Sequence, residues 1–247
     1  MTLKTERRDG TLLLTIDRPE AGNALNSDVG KGLVDALTVA RDDDSVRTVV
    51  ITGAGERVFS AGMDLRAFAA GEDMSAVGAA LTMLSELPKP LIAALNGSAV
   101  AGGFEVVMKA DLVVAADHAK IGIPEVKRGL LAAGGGTRLP SRIPLAIALE
   151  MGLTGEPISA ARAYELGLVN RVVPAAEVLD VALGLAATIE ANGPMAVTAT
   201  KLLMREELGP AADARLAEVA APVFASEDAK EGATAFAEKR PPVWKNR

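Results

Sequence analysis

Apolar and polar positions along the chain change period several times, and each change marks an element. Leu12-Leu13-Leu14-Thr15-Ile16 is a continuous apolar run closed by Asp17-Arg18-Pro19, which predicts a buried strand. Val29, Leu33, Leu37 and Ala40 then recur at helical spacing behind Asn26 or Ser27, either of which can cap the helix. Residues 46–52 predict a second strand, which Gly53-Ala54-Gly55 turns outward. Residues 75–87 predict a helix that stops before Pro88-Lys89-Pro90.

The segment from Leu91 is the most informative. Leu91-Ile92-Ala93-Ala94-Leu95 predicts a buried strand, and Asn96-Gly97 turns it into Ser98-Ala99-Val100. Gly102-Gly103 opens a helix over 104–110, followed by strands over 111–115 and 119–122. Beyond them the spacing is helical over 145–151, 160–166, 178–190, 195–205 and 211–224. Strands alternating with helices, then a run of helices, predict an α/β core with a helical C-terminal part.

Composition narrows the function classes. Of 247 residues 49% are apolar and 23% charged, the balance of a globular chain. Aromatics make up only 3%, so Ala, Val, Leu and Ile must build the core. A net charge of −6 argues against general nucleic-acid or membrane-surface binding, which needs clustered positive charge. With no cysteine, thiolate chemistry is excluded, and the single histidine, His118, rules out a His-rich metal site. The longest uncharged run, Pro90 to Phe104, is too short to span a bilayer, and Met1 to Arg8 lacks a signal-peptide apolar stretch, so a cytoplasmic protein is expected.

Three segments carry candidate chemistry. Phe59-Ser60-Ala61-Gly62-Met63-Asp64-Leu65 is a glycine-containing loop leading into a short helix. Ala99-Val100-Ala101-Gly102-Gly103-Phe104-Glu105 is a strand–glycine–helix junction with an acid in the first turn. Ile123-Pro124-Glu125-Val126-Lys127-Arg128-Gly129-Leu130 runs on to Ala132-Ala133-Gly134-Gly135-Gly136. A helix N-terminus offers unpaired N–H groups, and glycines let a ligand oxygen approach them, which suits an oxyanion hole. Glu105 would then reach the carbon beside that oxygen, with Glu125 as a partner acid. Local physics leaves an alternative open, in which Glu105 simply complements the helix dipole. Other glycines carry less. Gly53-Ala54-Gly55 lacks the third glycine of a dinucleotide fingerprint, and Gly134 to Gly136 lacks the Gly-Lys-Ser/Thr ending of a phosphate loop. His118 reads as a surface residue in a turn between strands, and Asp42-Asp43-Asp44 as a solvated helix end.

Together these segments resemble the enoyl-CoA hydratase/isomerase (crotonase) superfamily. The similarity runs from Arg18-Pro19 and Asn23-Ala24-Leu25 to Phe236-Ala237-Glu238-Lys239-Arg240. It includes Pro88 to Gly97, Leu153 to Ala160 and Gly167 to Pro174, and the order and spacing of the motifs make it specific. The resemblance implies an α/β crotonase-like spiral of ββα units, residues 1–190, continuous with a C-terminal helical trimerisation region, residues 191–247. It implies a homotrimer or dimer of trimers acting on an acyl-CoA thioester without metal or other cofactor, coenzyme A being part of the substrate.

For the site, the resemblance implies an oxyanion hole made by the N–H groups of Met63 and Gly102, with Glu105 and Glu125 as catalytic acids. Glu105 would activate a water for attack at C3, and Glu125 would protonate C2. Ala61, Met63, Asp64, Leu65, Arg66, Gly102 and Ala133 fall at substrate-binding positions, Arg66 or Arg57 facing phosphates and Lys239 reaching a neighbouring subunit's CoA. Two features depart from the family pattern. Glu20 stands where some members carry a basic CoA contact, and the glycine loop after Glu125 is one residue short, placing Ala132 or Ala133 where hydratases often use a glycine N–H to hold the water.

The leading expectation is reversible hydration of a 2-enoyl-CoA to a 3-hydroxyacyl-CoA. Alternatives are a hydratase/dehydratase of a polar acyl-CoA such as crotonobetainyl-CoA, and an enoyl-CoA isomerase, which needs only one base. From a different class come a non-catalytic acyl-CoA- or RNA-binding member and a serine protease on the same fold, the latter disfavoured because His118 is not placed to pair with a serine.

Overall fold

The computed structural model describes residues 2–205, 218, 221–223 and 225–247. Strands β1 (Leu3–Arg8) and β2 (Thr11–Ile16) pair antiparallel, with Leu3 opposite Ile16 and Arg8 opposite Thr11. Asn26 caps α1 (Ser27–Asp42), its side-chain oxygen accepting from Val29 N at 3.1 Å. After α1 the chain enters β3 (Thr48–Gly53), β4 (Val58–Ser60), α2 (Leu65–Ala69) and α3 (Ser75–Glu86). Then follow β5 (Leu91–Leu95), β6 (Ser98–Val100), α4 (Gly102–Lys109), β7 (Leu112–Ala116) and β8 (Lys120–Gly122). The remainder comprises α5 (Leu145–Thr154), β9 (Ile158–Ser159), α6 (Ala160–Glu165), β10 (Arg171–Val173), α7 (Val178–Glu190), α8 (Pro194–Arg205) and α9 (Glu227–Glu238).

The strands form two sheets. One has six strands in the order β1-β2-β3-β5-β7-β10 and the other four in the order β4-β6-β8-β9. Consecutive strands alternate between them: β3, β5 and β7 each pass into a short strand of the second sheet before the chain returns. This is the spiral implied by the family resemblance. Residues of β3 and β5 are buried throughout, as continuous apolar runs in a parallel sheet covered on both faces require. Helix α7 packs across β2, β3, β5 and β7, while α1 packs on α3.

Two buried amides set the route between sheets. Asn96 Oδ1 accepts from Gly53 N at 3.0 Å, and its Nδ2 donates to Gly55 O at 2.7 Å. Asn23 Nδ2 donates to Ala54 O at 3.0 Å and Val58 O at 2.7 Å. Together they satisfy the backbone of the β3–β4 connection, which would otherwise leave carbonyls unpaired near the core. Gly97 completes the crossing, because a Cβ there would lie 2.2 Å from the Arg57 carbonyl carbon.

The pattern of apolar positions locates most of these elements to within a residue or two. It misses β1, whose residues after Leu3 are exposed, and the short strands β4, β9 and β10, which are too brief for a period. Helix α9 is a further addition. The helix expected over 211–224 lies outside the described residues except at 218 and 221–223.

Gly97→Ala must displace backbone, so it should lower stability by about 1–3 kcal/mol. Gly184, at an exposed position of α7 with nothing within 4 Å of an added methyl, should behave oppositely on replacement by alanine, gaining about 0.5–1 kcal/mol. Urea unfolding of both variants reads the two signs.

Candidate active site

The loops that follow β4, β6 and β8 meet at one cavity of about 550 Å³. At the β6–α4 junction Ala101 holds φ 51° and ψ −133°, a conformation that costs of order 1–3 kcal/mol for a residue with a Cβ. Its N–H donates to Gly122 O at 3.0 Å, and the turn leaves Gly102 as the first residue of α4. Gly103 must be glycine, since a Cβ would stand 2.2 Å from Ser60 O.

Opposite runs the backbone after β4. Gly62 has φ 89°, and a Cβ there would lie 2.6 Å from Gly102 N. A Cβ on Gly102 would lie 3.3 Å from Met63 N. The two backbones are therefore in direct contact. A short parallel bridge fixes the Met63 side, with Leu25 N donating to Gly62 O at 2.8 Å and Asp64 N to Leu25 O at 2.9 Å. Among the described residues neither Met63 N–H nor Gly102 N–H has a hydrogen-bond acceptor. Two adjacent unpaired donors, one at a helix N-terminus, favour an oxygen bearing negative charge.

Glu105 lies in the first turn of α4 and is 5% exposed. Its Oε1 accepts from Gly136 N at 2.9 Å. A Cβ on Gly134 would come within 2.2 Å of the other oxygen, so a side chain there would displace the carboxylate. Glu125 sits on a 3-10 turn, Pro124–Arg128, which Gly129 ends at φ 66°. Its Oε2 is buried and has no hydrogen-bond partner among the described residues. Burial pushes the Glu125 carboxyl above the ordinary glutamate range, and the neighbouring Glu105 adds to the rise, while its own backbone N–H opposes it. One carboxyl is thus anchored by a backbone donor, and the other keeps an unpaired oxygen in an apolar setting.

Of the residues expected at substrate, Ala61, Met63, Leu65, Gly102 and Ala133 line this cavity with Glu105 and Glu125. Asp64 and Arg66 do not. Asp64 turns away to cap α2, accepting from Arg66 N and Ala67 N at 3.1 Å, and pairs with Arg18 Nη2 at 3.0 Å. Arg66, Arg57 and Lys239 are exposed away from the cavity lining, Lys239 following α9 with φ 54°. Of the two alternatives for the water-holding donor, the Ala133 N–H is bonded to Leu131 O at 2.8 Å, while the Ala132 N–H has no acceptor among the described residues. The glycine loop supplies its donor at Gly136 instead, and to Glu105. The run Gly134 to Gly136 was the available signal, but which group its N–H would meet is not written beside it. His118 lies in the turn after β7, with Nε2 2.8 Å from Glu56 O. Among the described residues no group of three or more His, Cys, Asp or Glu could hold a metal ion, and no helix is long and apolar enough to cross a membrane.

The chain is similar over its length to known proteins. A family model described as enoyl-CoA hydratase/isomerase matches residues 6–247. The carnitinyl-CoA dehydratase of Escherichia coli (strain K12) is 43% identical, covering 97% of each chain. The crystal structure of enoyl-CoA hydratase from Mycobacterium tuberculosis H37Rv is 48% identical with a TM-score of 0.95, covering 100% of this chain and 99% of that one. That of carnitinyl-CoA hydratase from Mycobacterium avium is 44% identical with a TM-score of 0.80 over the same shares.

The raised Glu125 carboxyl has a consequence for stability. Its contribution is fully present below the ordinary value of 4.5 and is lost as pH rises through the higher folded value. Glu125→Gln, which mimics the protonated acid, should therefore stabilise the fold at neutral pH, with a gain that shrinks as pH falls toward 4.5. Denaturation midpoints across that range measure it, and a pH-independent difference would contradict the assignment.

Proposed function

The chain belongs to the enoyl-CoA hydratase/isomerase family, and we propose that it interconverts a 3-hydroxyacyl-CoA and a 2-enoyl-CoA with water as the second reactant. The observation that carries this reading is the unequal carboxyl pair: Glu105 held by Gly136 N–H, and Glu125 with a buried, unpartnered oxygen. Hydration needs a base and an acid acting on the two ends of one double bond, and a raised pKa suits the acid. An isomerase needs only one such group.

In the hydration direction, Glu105 takes a proton from water as its oxygen bonds to C3. The electron pair of the double bond moves toward the thioester, and the N–H groups of Met63 and Gly102 stabilise the enolate-like oxygen. Glu125 then delivers its proton to C2, the carbonyl re-forms, and proton exchange with solvent takes the proton from Glu105 and returns one to Glu125, restoring the pair. Dehydration is the reverse. The proposed chemistry draws on two carboxyls, backbone donors and water, with CoA as part of the substrate.

The relatives named carnitinyl-CoA dehydratase and carnitinyl-CoA hydratase support a polar acyl group, such as the crotonobetainyl group, as the finer assignment. A plain aliphatic enoyl-CoA is the second reading. It is favoured by a cavity wall of Leu25, Met74, Val77, Leu81, Leu130 and Leu131, with no aromatic side chain among the described lining residues to hold a quaternary ammonium. The proposal extends to a homotrimer or dimer of trimers, the arrangement that would let Lys239 serve a neighbouring subunit's CoA.

Crotonobetainyl-CoA and crotonyl-CoA, offered separately, should lose their conjugated-thioester absorbance with the purified protein. Glu105→Gln and Glu125→Gln should each lower kcat by about 10²–10⁴-fold. Turnover unchanged in either variant would sink the two-carboxyl mechanism.

A further inference from the structure

Asp64 resembles a substrate contact in sequence, yet its carboxylate is spent inside the protein. Its partner is Arg18, and the two side chains are only 13% and 16% exposed. Arg18 Nη2 donates to Asp64 Oδ2 at 3.0 Å, and Nη1 donates to Ala24 O at 2.7 Å. These acceptors flank the bridge that carries Met63. Ala24 precedes Leu25 on one side of the bridge, and Asp64 follows Met63 on the other. A single planar guanidinium therefore grips both chains of the Leu25–Met63 pair, each one residue from it.

The rest of the surroundings tighten this grip. Asp64 Oδ1 accepts from Arg66 N and Ala67 N, so the same carboxylate anchors the start of α2. Arg18 is fixed through its own backbone, with its N–H donating to Asn23 Oδ1 at 3.0 Å and its carbonyl accepting from Asn23 N at 2.8 Å. The N–H bond from Ala67 and the Arg18 guanidinium hold the Asp64 carboxyl below the ordinary aspartate value.

We propose that Arg18 and Asp64 are positioning residues that aim the Met63 N–H at the substrate's thioester oxygen. The inference rests on the hydro-lyase reading for its chemistry and on the ion-pair geometry for its mechanism. A donor stabilises a developing oxyanion only when held in direction, and a misplacement near 1 Å can cost about 10²-fold in rate. Lysine cannot replace this arginine, because one ammonium cannot bond two divergent acceptors with the fork's fixed geometry. Asparagine at position 64 can still cap α2 but loses the charge that binds Arg18.

The test uses Arg18→Lys and Asp64→Asn in the full chain, with kcat and KM measured on the accepted enoyl-CoA. A second readout is the absorption of bound para-dimethylaminocinnamoyl-CoA, whose band moves to longer wavelength as its thioester oxygen is polarised. Both variants should show kcat reduced by about 10–10²-fold with KM changed little, and a smaller red shift per bound probe. Asp64→Asn should be the milder of the two. A full red shift in both variants overturns the inference, even where turnover or melting temperature falls, because that pattern means a merely structural role. A wild-type chain that shifts the probe but turns over no enoyl-CoA overturns the hydro-lyase reading alone, and loss of the shift in the variants would then still support the positioning role.

Discussion

Two carboxyls share one apolar cavity, and burial, with Glu105 beside it, raises the Glu125 carboxyl. The chain resolves this by treating them differently. Glu105 receives a backbone N–H from Gly136, whereas Glu125 Oε2 is buried with no donor. Gly134 lets the loop pass close over the Glu105 carboxylate, and Gly136 lets it pack against Ala132 and Ile123. The glycine loop thus makes the two carboxyls unequal, which is what the proposed base and acid require.

The fold explains why such distant residues meet. Strands β4, β6 and β8 lie side by side and parallel in the smaller sheet, so their C-terminal ends face the same way. Met63 follows the first, Gly102 the second and Glu125 the third. Each turn of the spiral delivers one functional segment to a common edge. The glycines at 62, 102 and 103 then allow the first two segments to touch backbone to backbone. Ala101, in its left-handed turn, aims the helix start at the space between them.

Much of this was legible in the sequence, for identifiable reasons. Buried strands such as Leu91–Leu95 announce themselves because both faces are apolar, and α1 because its cap and its period agree. Gly102-Gly103 followed by Glu105 marked the helix start beside the site. The illegible parts depend on partners far apart in the chain. Nothing near Asp64 indicates that its carboxylate belongs to Arg18, 46 residues earlier. Nor does anything beside Gly136 indicate a bond to Glu105, 31 residues away. Strand β1 exists only because β2 offers it a ladder, so its own polar residues carried no period.

The central claim is that the two carboxyls act as base and acid at the two ends of one double bond. Because they line the same cavity, hydrogen and hydroxyl should reach the same face of the substrate. Hydration in deuterium oxide, with the product examined by proton NMR, measures this directly. The account predicts one deuterium at C2 and a hydroxyl at C3 added syn. Anti addition, or exchange at C2 without hydration at C3, would contradict it.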